Sequence, residues 1–199
     1  MRITKIICYL LFLVCMTGCN SYHPADKEVE EFPVIFPDYA AVTFPSNIAP
    51  PNFVIQEEGE GFQTEMGIVG ENTMFTIHSD EPLVTISPKD WTALLEKAVG
   101  KEIFFRITVL QEQQWVRYAD IQNQISRYPI DGYLAYRLLY PGYELWNEMG
   151  IYQRELSSYK ETPIVENRNF GKQCVNCHTF NAQSPEDMMM HIRGAQGGT

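Results

Sequence analysis

Between Asn52 and Leu110 the apolar residues come in short runs, and nearly every run is closed by Glu, Gly, Asn, Asp or Pro. Phe53-Val54-Ile55, Met66-Gly67-Ile68-Val69, Met74-Phe75-Thr76-Ile77 and Leu83-Val84-Thr85-Ile86 are rich in side chains that suit a pleated, half-buried surface. Runs this short cannot build long helices, so the chain is committed to sheets. Glu102 to Leu110 alternates, with Ile103, Phe105, Ile107 and Val109 on one face and Arg106 and Thr108 among those opposite. Tyr133 to Tyr140 has large apolar residues on both sides and reads as a central strand, ended by Pro141-Gly142. One helix interrupts the pattern. Ser87 is its cap, Pro88 suits its first turn, and Trp91, Leu94, Leu95 and Ala98 follow at i, i+3, i+4 and i+7 up to Gly100. Ile121 to Ile125 reads as a second, short helix. The expected class is mainly β: a β-sandwich of immunoglobulin-like or related type with one or two short helices.

The first 18 residues are an address. Arg2 and Lys5 precede eleven uninterrupted apolar residues, Ile6 to Met16, too few to span a bilayer as a helix. Met16-Thr17-Gly18-Cys19 resembles the lipobox of bacterial lipoproteins, in which the cysteine is acylated and becomes the new N-terminus. On that reading Cys8 and Cys15 are discarded with a signal peptide at 1–18 and Cys19 carries lipid. The competing reading is an ordinary secretory signal. Residues 1–18 hold two basic and no acidic side chains, so a mature chain of 181 residues carries 13 basic against 25 acidic, a net of −12. Such a chain lacks the basic surface that nucleic acid requires, and lipid rather than charge must hold it to a membrane.

Six of the twelve prolines lie between Pro24 and Pro51, beside the acidic residues Asp26, Glu28, Glu30 and Glu31. Residues 19–51 therefore read as an extended tether, followed by a β domain at 52–165 and a small helical segment at 166–199.

Cys174-Val175-Asn176-Cys177-His178 is the attachment pattern of c-type haem. Two thiols three positions apart on one helical turn reach the two vinyl groups of the porphyrin, and the next residue offers the iron an imidazole. The motif thus implies one covalent haem c, bound through Cys174 and Cys177 with His178 as the proximal ligand. A redox-active dithiol leaves His178 unexplained, a zinc site lacks a second cysteine pair, and a disulfide would close a very small loop. Downstream, Ser184-Pro185-Glu186-Asp187 reads as the N-terminus of a helix reaching about Arg193. Met188 and His191 would share a face of that helix. His191 is the leading sixth ligand, with Met189 or Met190 as alternatives. His23 and His78 read as solvated or structural.

Tyr133 to Arg137, Met149-Gly150-Ile151-Tyr152-Gln153-Arg154 and Cys174 to Phe180 together resemble a family of Gram-negative envelope lipoproteins. These carry one haem-c motif in front of a TolB-like β-propeller and are often labelled cytochrome c or cytochrome c biosynthesis proteins. The resemblance implies that residues 166–199 lead into a propeller whose first strand would begin where this sequence stops.

The resulting expectation is a lipid-anchored electron carrier, rather than a catalyst, in a Gram-negative cell envelope. It would stand on the periplasmic side or the outer-membrane surface, with an envelope redox protein as partner. Two alternatives remain: an interaction or glycan-binding lipoprotein whose aromatic residues form the platform and whose cysteine motif is structural, and a thiol oxidoreductase.

Overall fold

The computed structural model describes residues 22–171, 173–194 and 197–198, with backbone alone for Tyr143, Gly197 and Gly198. The signal peptide at 1–18, Cys8, Cys15, the lipobox with Cys19, and Thr199 lie outside the described residues. Among those described, no helix is long and apolar enough to cross a membrane.

The chain is mainly β with several sheets and divides into two compact units, the first holding residues 22–41, 52–85 and 103–122 and the second 42–51, 86–102 and 123–194. In the first unit, β1 (Lys27–Glu28), β5 (Gly61–Ile68), β6 (Thr73–Ser79), β8 (Glu102–Gln111) and β9 (Gln114–Arg117) pair in the order β1-β9-β8-β5-β6. The β1–β9 pair is parallel and the other three are antiparallel. Along β8 the face expected to be buried is so, with Ile103, Phe105, Ile107 and Val109 all fully buried. Burial does not alternate, since Phe104 and Thr108 on the other face are buried too and Arg106 is half-buried. Directly across from three of them stand Ile68, Met66 and Phe62, paired with Ile103, Phe105 and Val109, and cross-strand pairs of this kind hold a sheet in register. The same register puts Gln63 beside Thr108 and Glu65 beside Arg106 on the other face. A smaller sheet, β2 (Ile35–Phe36), β4 (Phe53–Ile55) and β7 (Leu83–Val84), meets the larger one where Phe53 stacks on Phe105 with ring centroids 5.8 Å apart.

The second unit contains helix α1 (Pro88–Ala98), which buries Trp91, Leu94, Leu95 and Ala98, the stripe expected from its spacing. Ser87 makes no side-chain cap, contrary to expectation, although its carbonyl accepts the Trp91 amide. Trp91 meets Phe44 edge to face at 5.7 Å, and its indole N–H donates to Ile48 O. Gly100, with φ +73°, turns the chain out of the helix and hands its amide to Ile125 O.

Ile121–Ile125 is a strand, β10, and not a helix. Its residues 121, 123 and 125 are buried with a period of two, and it pairs in parallel with β3 (Thr43–Phe44). Beyond it, β11 (Tyr133–Leu138), β12 (Gly150–Glu155) and β13 (Glu161–Glu166) form an antiparallel sheet in that order. The segment expected at the centre of a sandwich, β11, is an edge strand with Tyr133 and Leu134 exposed. The last sheet holds β14 (Cys174–Phe180), β15 (Met188–Gly194) and β16 (Gly197–Gly198). The helical segment expected there is a hairpin. Ser184 takes the Glu186 amide in a local turn instead of capping a helix, and the backbone of Met188–Gly194 goes to the β14 ladder.

Residues 22–51 do not stand apart as a tether. They supply β1, β2 and β3, each paired with a strand from later in the chain, and so belong to the two folded units.

Candidate functional site

The Cys-x-x-Cys-His sequence occupies β14, and its position is fixed by a buried asparagine. Asn167 is wholly inaccessible; its Oδ1 accepts the Val175 amide at 2.8 Å and its Nδ2 donates to Trp146 O at 3.0 Å. Beside it, the Tyr152 hydroxyl lies 2.7 Å from Glu166 Oε1 and 2.6 Å from Glu148 O. Burial and then the Glu166 contact push the Tyr152 phenol up to about 12, and the hydrogen bond from Tyr152, helped by Arg168, holds the Glu166 carboxyl below its ordinary range. Nothing in the sequence marks Asn167, since Asn-Arg-Asn reads as a surface turn. Its role comes from partners 8 and 21 positions away.

The β14–β15 register pairs Cys174 with Arg193 and Val175 with Ile192, then His178 with Met190, Thr179 with Met189 and Phe180 with Met188. Between Val175 and His178 it slips, leaving Asn176 and Cys177 opposite the single residue His191, a β-bulge. Residues paired directly across a ladder share a face. One face therefore carries Val175, His178 and Phe180 with Met188, Met190 and Ile192; the other carries Cys174 and Thr179 with Met189, His191 and Arg193. His178 and His191, expected as candidate axial partners, stand on opposite faces. Met189 is 71% exposed on the far one.

On the His178 face a cleft of about 840 Å3 opens between the hairpin and the β11–β13 sheet, within the size of common ligand sites. His178, Phe180 and Met188 line it from the hairpin, and Leu134, Ala135 and Ile164 from the sheet. His178 and Phe180 meet edge to face at 6.2 Å.

Both thiols are free; Cys174 is half-buried and Cys177 exposed. Arg137 Nη2 lies 3.5 Å from Cys174 Sγ, and Arg137 Nε is buried with no hydrogen-bond partner among the described residues. The three side chains expected to hold a haem are not brought together on this strand: His178 lines the cleft, Cys174 stands on the opposite face, and Cys177 is exposed at the bulge and lines no part of the cleft. Among the described residues, no three His, Cys, Asp or Glu side chains are grouped to hold a free metal ion.

A second polar cluster lies in the first unit. The His23 ring stacks on Trp115 at 4.5 Å and meets His78 edge-on at 5.9 Å, while Gln63 exchanges two hydrogen bonds with the His23 backbone. Burial, followed by the nearby His23 ring, lowers the His78 pKa, and Glu65 opposes the shift. Compared with known proteins, the chain matches no family model, no curated protein and no solved structure.

Proposed function

We propose that this chain carries one covalently bound c-type haem and passes single electrons between redox proteins of the cell envelope, anchored by lipid on Cys19. The observation that carries the reading is the Cys174-Val175-Asn176-Cys177-His178 sequence with His178 turned into the cleft beside Phe180 and Met188. Cys174 and Cys177 would hold the group, and His178 would give it an axial nitrogen. When bound, such a group cycles between ferric and ferrous iron, taking one electron from a donor protein and giving it to an acceptor. The residues of the cleft would shield part of it from water, which together with the axial ligands sets its potential. The net charge of −12 on the mature chain favours a partner with a basic face, through steering that weakens with salt. The family resemblance and the sandwich packing of the two sheets joined through Phe53 and Phe105 belong to the same reading.

The test is production with c-type maturation machinery, followed by denaturation. Haem that stays with the polypeptide, by mass and by its Soret band, supports the proposal; a chain of unmodified mass sinks it.

A second reading rests on the Arg137–Cys174 contact. A guanidinium beside one thiol of a Cys-x-x-Cys pair is the setting of a redox-active dithiol. That protein would have no visible spectrum and would show a reversible two-electron thiol titration, abolished by Cys174→Ser.

A further inference from the structure

We propose that the outer face of the β2–β4–β7 sheet is a docking surface for a protein that presents apolar side chains inside a rim of lysine and arginine. Burial along these strands alternates strictly. Pro33, Ile35, Phe53, Ile55 and Val84 are buried on the inner face, where Phe53 reaches the Phe105 ring of the larger sheet. An antiparallel sheet packed on one side ordinarily turns polar residues to water on the other. Here the outward positions are apolar as well. Phe36 pairs with Val54 and Val54 with Leu83, so the three form one row across the sheet, about 10 Å long. Val34 and Phe32 extend it at every second position, and Gln56 prolongs the ladder by donating its amide to Val34 O at 2.8 Å. Phe32, Val34, Phe36 and Leu83 are each more than half exposed. Apolar residues scattered singly over a surface need no explanation, but these five lie together on one side of a single sheet, and such a patch marks an interaction site.

The charges around the patch say what covers it. From Glu28 to Pro88 the chain has no lysine or arginine. Glu30, Glu31, Asp38, Glu58, Asp80 and Glu81 flank the three strands in sequence, and all are exposed. Interfaces bury an apolar core inside a polar rim, so an apolar centre with a negative rim suits a partner with an apolar centre and a positive one. The same carboxylates repel anionic headgroups and would meet like charge in a second copy of the chain. The free edge of the sheet is blunted against strand addition: Pro33 and Pro37 bracket β2, and the Val34 amide donates to Glu57 Oε1 at 2.9 Å. Docking therefore uses the face. None of these residues belongs to the Cys-x-x-Cys-His strand, and the proposal stands whether or not the chain carries haem.

The experiment uses the full chain and an amphipathic leucine–lysine helical peptide as the probe. Its leucine–glutamate counterpart and vesicles of phosphatidylcholine, with and without phosphatidylglycerol, are the comparisons. The leucine–lysine peptide should bind by calorimetry, more weakly as salt rises, and should slow amide exchange at residues 34–36, 53–55 and 83–84. Phe36→Ser with Leu83→Ser should weaken binding at least about tenfold, and Glu58→Lys with Glu81→Lys should weaken it as well. Melting temperatures should stay unchanged in both, because all four side chains are exposed. Failure of the leucine–lysine peptide to bind, equal affinity in the substituted chains, equal affinity for the leucine–glutamate peptide, or protection confined to other strands overturns the proposal. So does vesicle binding or self-association that Phe36→Ser with Leu83→Ser abolishes, since either would put a bilayer or a second copy on this face.

Discussion

Replacing Asn167 by alanine tests how the Cys-x-x-Cys-His strand is held. The side chain is fully buried and satisfies two backbone groups, the Val175 amide and the Trp146 carbonyl. Truncation leaves the Val175 amide without a partner in a place water does not reach, since Val175 is itself 1% exposed, whereas the Trp146 carbonyl keeps the Met149 amide. One orphaned buried donor costs about 1–3 kcal/mol. The loss falls on the local stability of β14. Amide hydrogen exchange reads it directly: the Val175 amide should exchange roughly 5- to 150-fold faster in Asn167→Ala, at about 1.4 kcal/mol per tenfold. The amides of β8, in the first unit, should not change. Replacement of the exposed Asn147 by alanine supplies the comparison. Unchanged exchange at Val175 would refute the view that this amide anchors the motif.

Further outcomes follow from other parts of the structure. Phe105→Ala removes a fully buried ring stacked on Phe53 and should cost about 3–5 kcal/mol, read from the denaturation midpoint of the first unit. A smaller loss would mean that the two sheets do not meet through these rings. Because the folded pKa of His78 is lowered, the unfolded chain binds its proton first, so stability declines as pH falls below about 6.5. His78→Gln should flatten that decline in a melting series from pH 7.5 to 5, and an unaltered slope would count against the burial, aided by His23, that lowers this pKa. Because Cys174 stands on the face opposite His178, the proposed haem attachment requires it to leave the ladder, so amide exchange at residues 174–176 should be faster in loaded than in unloaded chains, as mass spectrometry of their peptides can show; equal protection would count against attachment at this strand.

The parts legible in the sequence are those whose patterns are long enough to discriminate. Trp91, Leu94, Leu95 and Ala98 span two helical turns, and Ile103, Phe105, Ile107 and Val109 hold a period of two over four positions, long enough to read as a strand even with Phe104 among the residues opposite. Ile121-Gln122-Asn123-Gln124-Ile125 has apolar ends four apart, which suits a helical turn and a strand equally well; β3, some 80 positions earlier, decides the matter. Ser184-Pro185-Glu186-Asp187 before three methionines has strong local helix chemistry, yet the ladder to β14 offers Met188–Gly194 more backbone partners than a short isolated helix would. The Cys-x-x-Cys-His pattern is legible because its residues are adjacent in sequence. What surrounds it is not: Asn167 and Arg137 depend on distant contacts, and the separation of Met188 from His191 depends on which period the chain adopts.

The pairing of Lys27–Glu28 with Val116–Arg117, and of His23 with Trp115 and Gln63, sets a mooring length. With residues 19–51 extended, a lipid on Cys19 would let the protein range roughly 110 Å from the bilayer, at about 3.4 Å per residue. The pinned His23 leaves only four residues of slack, about 14 Å. On the proposed lipidation of Cys19, the first unit would stand close to the headgroups. A partner would then meet it near the membrane surface, by diffusion in that plane.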